Sequence, residues 1–214
     1  MKSVLHGLAA AFVLATAAAL SPVPAAASYT FQSLYSFCSS LDCSKGQYPH
    51  GILNLSGKLY GTTSAGGVAG VGVVFEFSPS EKKSGYRVLY SFCARANCAD
   101  GANPEGPLIV DEAGNLYGTT DLGGKRNLGT IFKLTPNGKG NKWALTVLYD
   151  FGAQPRDGSY PLGALAYQGR ASGAPYDGVS PLFGLTEGGG YPSQGGTVFE
   201  LQAPADKESK SKWD

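Results

Sequence analysis

Leu116-Tyr117-Gly118-Thr119-Thr120 is followed by Gly129-Thr130-Ile131-Phe132-Lys133-Leu134, and both pieces occur twice more in the same order. Leu59-Tyr60-Gly61-Thr62-Thr63 precedes Gly72-Val73-Val74-Phe75-Glu76-Phe77. The degenerate Leu182-Phe183-Gly184-Leu185-Thr186 precedes Gly196-Thr197-Val198-Phe199-Glu200-Leu201. A third marker, Leu34-Tyr35-Ser36-Phe37, returns as Leu89-Tyr90-Ser91-Phe92 and as Leu148-Tyr149-Asp150-Phe151. The copies lie about 55–66 residues apart, the widest gap reflecting an insertion around Gln168–Val179. Three colinear markers in three copies define a tandem repeat.

Each copy reads as four short strands. In the middle copy, Gly85–Phe92 is rich in β-branched and aromatic residues, and Pro107–Asp111 is an apolar run. Asp111-Glu112-Ala113-Gly114-Asn115 carries turn chemistry before the strand Leu116–Thr120. Gly123-Gly124 marks a loop, Gly129–Leu134 a further strand, and Pro136-Asn137-Gly138 a turn. No helical periodicity appears outside the first segment. Four antiparallel strands per repeat describe a propeller blade, whereas a sandwich does not need the same four strands three times. The expected fold is all-β: three four-stranded β-propeller-like blades over about 30–84, 85–142 and 143–202, incomplete or completed by oligomerisation.

These ordered pieces, LYSF, Gly-Asn-Leu-Tyr-Gly-Thr-Thr, a Gly-Gly loop and Gly-Thr-[Val/Ile]-Phe-[Lys/Glu]-Leu, resemble the GloVer tandem repeat of secreted bacterial proteins over about residues 30–202. The resemblance implies an extracellular protein with propeller-like blades and no assigned reaction. Members of that family often carry a C-terminal sorting anchor. Here residues 205–214 form a charged tail, expected to be disordered, without an apolar segment.

Composition agrees with this class. Gly is 31 of 214 residues and charged residues are only 15%, a profile that disfavours helical bundles and charge-rich disorder. With 17 basic and 16 acidic residues there is no field to steer nucleic acid. Residues 1–27 read as a secretory signal peptide: Lys2, an apolar run from Val4 to Leu20, then Pro22, Pro24 and small residues up to Ala27. No later stretch approaches spanning length, so no membrane span is expected after its removal.

The phase of the repeat matters for assembly. If Pro107–Asp111 is the innermost strand, the chain opens with an outermost strand, Thr30–Phe37, and ends on a third strand, Gly196–Leu201. Three blades are fewer than the four to eight that ordinarily close. A homodimer in which each terminal strand completes the partner's last blade would remove the open edges.

Cys38 and Cys43 recur as Cys93 and Cys98, and both are missing together from the third copy. Equivalent points on neighbouring blades lie beyond bridging distance, so the local pairs 38–43 and 93–98 are expected, each contributing about 2 kcal/mol. A four-thiolate zinc site is the rival, disfavoured by export and by the spacing.

Chemistry is sparse. His50 is the only imidazole after residue 27, and its counterparts are Glu105 and Leu162, as an exposed loop position would allow. No G-x-S-x-G elbow occurs, and Gly67–Gly72 precedes a strand instead of opening a phosphate-binding helix. One constellation remains. Ser64, Asp121 and Glu187 stand at the exits of equivalent strands, and Asp100 and Asp157 lie on loops of the same rim. Converging oxygens there suit a sugar or Ca²⁺, against a plain turn role for Asp before Gly. The function expected is a secreted binding module for a glycan or cell-surface protein, with no catalytic residue assigned. Alternatives are a carbohydrate-active hydrolase or lyase using Asp121 and Glu187, and a structural surface-assembly component.

Overall fold

The computed structural model describes residues 29–39, 41–81, 85–138, 142–192 and 194–203. Residues 1–27, read as a signal peptide, and the tail 205–214 lie outside them. Among the described residues eleven strands form three antiparallel sheets, each a meander in chain order. Sheet I contains β1 (Gln47–Leu55), β2 (Lys58–Ala65), β3 (Val73–Phe77) and β4 (Tyr86–Ser91). Sheet II contains β5 (Ile109–Val110), β6 (Leu116–Thr120), β7 (Thr130–Asn137) and β8 (Lys142–Asp150). Sheet III contains β9 (Gly158–Ala166), β10 (Leu182–Gly189) and β11 (Thr197–Leu201). Among the described residues helix is confined to two single turns, Ala96–Cys98 and Arg170–Ser172. No sheet closes on itself.

The repeat markers are explained by a three-residue stack. Gly61, Gly118 and Gly184 pair across the strands with Phe75, Phe132 and Phe199. A Cβ on these glycines would fall 2.7, 2.8 and 2.3 Å from the Phe ring, so glycine is there to make room for the aromatic. Onto the same rings comes the Phe that ends the LYSF marker. Phe37–Phe75, Phe92–Phe132 and Phe151–Phe199 meet edge to face with centroids 5.2, 5.2 and 5.3 Å apart. Phe92 and Phe151 thus join one sheet to the next. Two further contacts repeat at these junctions: Thr62 Oγ1 donates to the Gly106 carbonyl at 3.1 Å, and Thr119 Oγ1 to the Gly163 carbonyl at 3.4 Å. Leu89, Leu108, Phe132 and Leu134 fill the core between sheets I and II; Leu148, Phe151, Leu165 and Leu182 fill the one between II and III.

Sheet III is the incomplete blade, with three strands in place of four, as the phase of the repeat expects. Two expectations need correction. Thr30–Phe37 is not a strand, because nothing among the described residues offers it a ladder; Tyr35 and Phe37 instead pack on Phe75 and Tyr86. Pro136-Asn137 belongs to β7, paired with Trp143 and Lys142, and does not turn. Beyond Leu134 the strand has left β6, so Pro136 costs no ladder bond on that side.

The insertion in the third repeat has a structural use. Tyr176 bridges to Asp111, its N–H donating to the Val110 carbonyl at 2.8 Å, and its ring is fully buried against Tyr117 and Tyr167. It extends the short strand β5 with residues from another repeat.

Candidate functional site

The rim is built by loops that bond one another. Gly67 N–H donates to the Cys43 carbonyl at 3.1 Å, Gly124 to Cys98 at 2.9 Å, and Gly190 to Asp157 at 3.1 Å. The cysteine loops and the Gly-Gly loops therefore share one edge, as the meander requires. The disulfides are Cys38–Cys43 and Cys93–Cys98, and no cysteine is free.

Asp100 and Asp157 hold that edge together. Asp100 is fully buried and accepts from Tyr90 Oη at 2.6 Å, Ala94 N at 2.9 Å and Arg95 N at 3.0 Å. Asp157 accepts from Tyr149 Oη at 2.8 Å, Ala153 N at 2.9 Å and Gly158 N at 2.8 Å. Burial, then the adjoining carboxylate, pushes both phenols upward, so they stay donors near neutrality. The two carboxylates clamp loops with the bonds a ligand would otherwise compete for. The first repeat has Lys45 at this position, and there Tyr86 Oη donates to the Lys45 carbonyl instead.

Ser64, Asp121 and Glu187 do occupy equivalent places, in or just after β2, β6 and β10. Asn103, at positive φ, ties the first two together: its Nδ2 donates to the Ser64 carbonyl at 3.0 Å and its carbonyl accepts from Asp121 N at 2.9 Å. Partial burial raises the Asp121 carboxyl above its ordinary range, and the charges of Glu105 and Glu187 raise it further. Glu187 thus reaches Asp121 electrostatically, and Glu105 is an additional member. Glu105 sits in Asn103-Pro104-Glu105-Gly106, the counterpart of Tyr48-Pro49-His50-Gly51 and Tyr160-Pro161-Leu162-Gly163. That alignment could have found it.

His50 is not the exposed loop position expected. It is half-buried, with Nε2 3.0 Å from Ser64 Oγ. No carboxylate orients its other nitrogen among the described residues, so the pair is a hydrogen bond without the third member of a triad. The Ca²⁺ expectation finds no support in grouping: among the described residues no cluster of three or more His, Cys, Asp or Glu could hold a metal ion.

A feature the repeat pattern does not carry lies at the third loop. A cleft of about 540 Å³ is lined by Gln154, Arg156, Asp157, Tyr160, Tyr191 and Gln194, among others. Tyr191 is 75% exposed, and the Arg156 guanidinium lies 5.2 Å from its ring centroid. Only the third copy has Tyr191, so no comparison between copies points to it. A second cleft, about 390 Å³, runs between β1 and β5 and is closed by Tyr167 and by Arg170 and Pro175 of the insertion.

A family model described as the Gloeobacter/Verrucomicrobia repeat matches residues 16–212. The chain belongs to that family. The Gly–Phe pairs and the aromatic junctions are then the physical content of this repeat in the present member. No curated protein and no solved structure matches the chain. Among the described residues no helix is long and apolar enough to cross a membrane.

Proposed function

We propose that this Gloeobacter/Verrucomicrobia repeat protein is an exported, non-catalytic binding module whose sheets act as propeller-type blades and whose third loop region takes a glycan or a glycan-bearing surface protein. The observation that carries the reading is the rim cleft with Tyr191 exposed beside Arg156, Gln154 and Gln194. An aromatic face with planar polar side chains around it suits the apolar face and hydroxyls of a sugar ring. The meanders in chain order support blades, and two local disulfides accord with an oxidising compartment. The test is calorimetry of the exported protein against a panel of bacterial and plant polysaccharides. Saturable binding without release of reducing ends is expected, with affinity reduced at least about tenfold in Tyr191→Ala. No binding across the panel would overturn the reading.

A hydrolase or lyase is the second reading, and one observation favours it: Asp121 is held above the ordinary carboxyl range beside Glu187, as a general acid is. Turnover of a polysaccharide that Asp121→Ala abolishes and Tyr191→Ala leaves in place would select it.

A further inference from the structure

Among the described residues, the outer face of sheet III is open where the matching faces of sheets I and II are covered. Val74 and Ile131 are wholly buried, and their counterpart Val198 is 80% exposed. Thr62 and Thr119 reach the next sheet, and their counterpart Leu185 is 57% exposed. A Cβ on Gly51 or Gly106 would strike the following sheet, at Pro107 or the Gly163 carbonyl; around Gly163 there is nothing within 4 Å. Among the described residues β11 is also an edge strand, whereas β3 and β7 each have an outer partner, β4 and β8.

The missing half of this interface is at the other end of the same chain. Leu89 and Leu148 are buried between sheets, and their counterpart Leu34 is 53% exposed. Tyr35 and Phe37 already sit on sheet I as Tyr90 and Phe92 sit toward sheet II, but their own segment has no ladder partner among the described residues. The two interfaces inside the chain are one interface twice. The chain therefore carries the trailing half of a third at sheet III and the leading half at Ser33–Phe37.

We infer that a second copy of this chain covers sheet III, its Ser33–Phe37 adding to β11 as the fourth strand. This rests on the blade reading above and is separate from the ligand. The register follows from the repeat. Val74 pairs with Tyr90 and Val73 with Ser91; Ile131 pairs with Tyr149 and Thr130 with Asp150. Val198 thus faces the partner copy's Tyr35, and Thr197 its Ser36. Leu34 drops onto Leu185 and Val198, removing all three from water. The exchange is reciprocal under a two-fold axis, so both copies lose their open edge and the array closes at about six units, inside the usual range of four to eight. Leu185 in place of threonine makes this junction drier than the two within the chain.

The test uses the purified exported protein. Light scattering should report twice the chain mass. Ser36→Cys combined with Thr197→Cys should give a covalent dimer on a non-reducing gel, reversed by reductant. Val198→Asp should return the mass to one chain with an unchanged circular dichroism spectrum, since the Val198 side chain is 80% exposed within its own copy. A monomer at the highest soluble concentration, a crosslink that stays within one chain, or a dimer that Val198→Asp leaves intact would each overturn the inference. A mass rising past two chains would overturn the closure. Polysaccharide binding by the Val198→Asp monomer is measured alongside, so loss of the dimer and loss of the ligand site are read separately.

Discussion

Phe92 meets Phe132 edge to face, centroids 5.2 Å apart and planes at 67°, although Phe92 directly follows β4 of sheet I and Phe132 lies in β7 of sheet II. Phe132 is in turn seated over Gly118, which has no side chain to obstruct it. The junction is therefore a stack of three parts drawn from a single repeat but bridging sheets I and II, and truncating one part leaves a hole that the others cannot fill. Both rings are almost wholly buried. Phe92→Ala is expected to cost about 3–5 kcal/mol, the range for emptying a buried aromatic site. Chemical denaturation followed by tryptophan fluorescence measures it. A loss below about 1 kcal/mol would mean that the junction relaxes and is not a fixed contact.

Gly118 gives the complementary prediction. Its backbone is not at positive φ, so the demand is for space alone. A Cβ would lie 2.8 Å from Phe132 Cζ and 3.0 Å from Leu108 Cδ2. Gly118→Ala should therefore destabilise by about 1–3 kcal/mol through overpacking. The double variant Gly118→Ala/Phe132→Leu should recover part of that loss. Additive costs in the denaturation cycle would contradict the pairing of the two residues.

How far the residues announce all this depends on which physical constraint repeats. The Gly–Phe pair and the LYSF phenylalanine recur in all three copies because every junction needs them, so the strands and the disulfide loops were readable. Thr30–Phe37 has strand-like residues, yet a strand is a property of two chains of backbone and this one lacks its neighbour. Pro136 has turn-like residues, yet it lies beyond the end of β6 and the strand continues. The acidic rim is harder still. Asp100, Asp121 and Asp157 look alike in sequence, each an Asp beside a glycine or a turn. Only the placement of Tyr90 and Tyr149 separates the two that clamp loops from the one raised by Glu105 and Glu187.

Asp100 should accordingly behave as a structural residue. Asp100→Asn keeps the shape but cannot accept from Tyr90, Ala94 and Arg95 together, since one of its two terminal atoms becomes a donor. A loss of about 1–3 kcal/mol is expected, the cost of leaving a buried group unsatisfied. Polysaccharide affinity at a temperature where the variant is folded should not change. A selective loss of affinity with stability intact would make Asp100 a ligand contact.

Two carboxylates should move stability with pH in opposite senses. Burial alone would raise Glu76, but hydrogen bonds from Tyr60, Lys58 and Arg87 outweigh it and hold its carboxyl below the ordinary value of 4.5. Its folded form prefers to be ionised, so the stability it contributes is present above 4.5 and is lost as pH falls through the lowered folded value. Asp121 is the reverse. Its folded form prefers the proton, because burial and then Glu105 and Glu187 oppose its charge. Its favourable contribution is present below the ordinary value of 3.8 and is lost as pH rises through the raised folded value. Asp121→Asn should therefore raise the melting temperature at pH 7, with the gain vanishing below about pH 3.8, where both forms are uncharged. Glu76→Gln should lower it at pH 7, with the penalty shrinking as the medium is acidified. Melting curves of both variants and the parent between pH 3 and pH 8 decide the matter. If Asp121→Asn lowered the melting temperature at neutral pH, Asp121 would be stabilised in its charged form, and the repulsion assigned to Glu105 and Glu187 would be the wrong account of the rim.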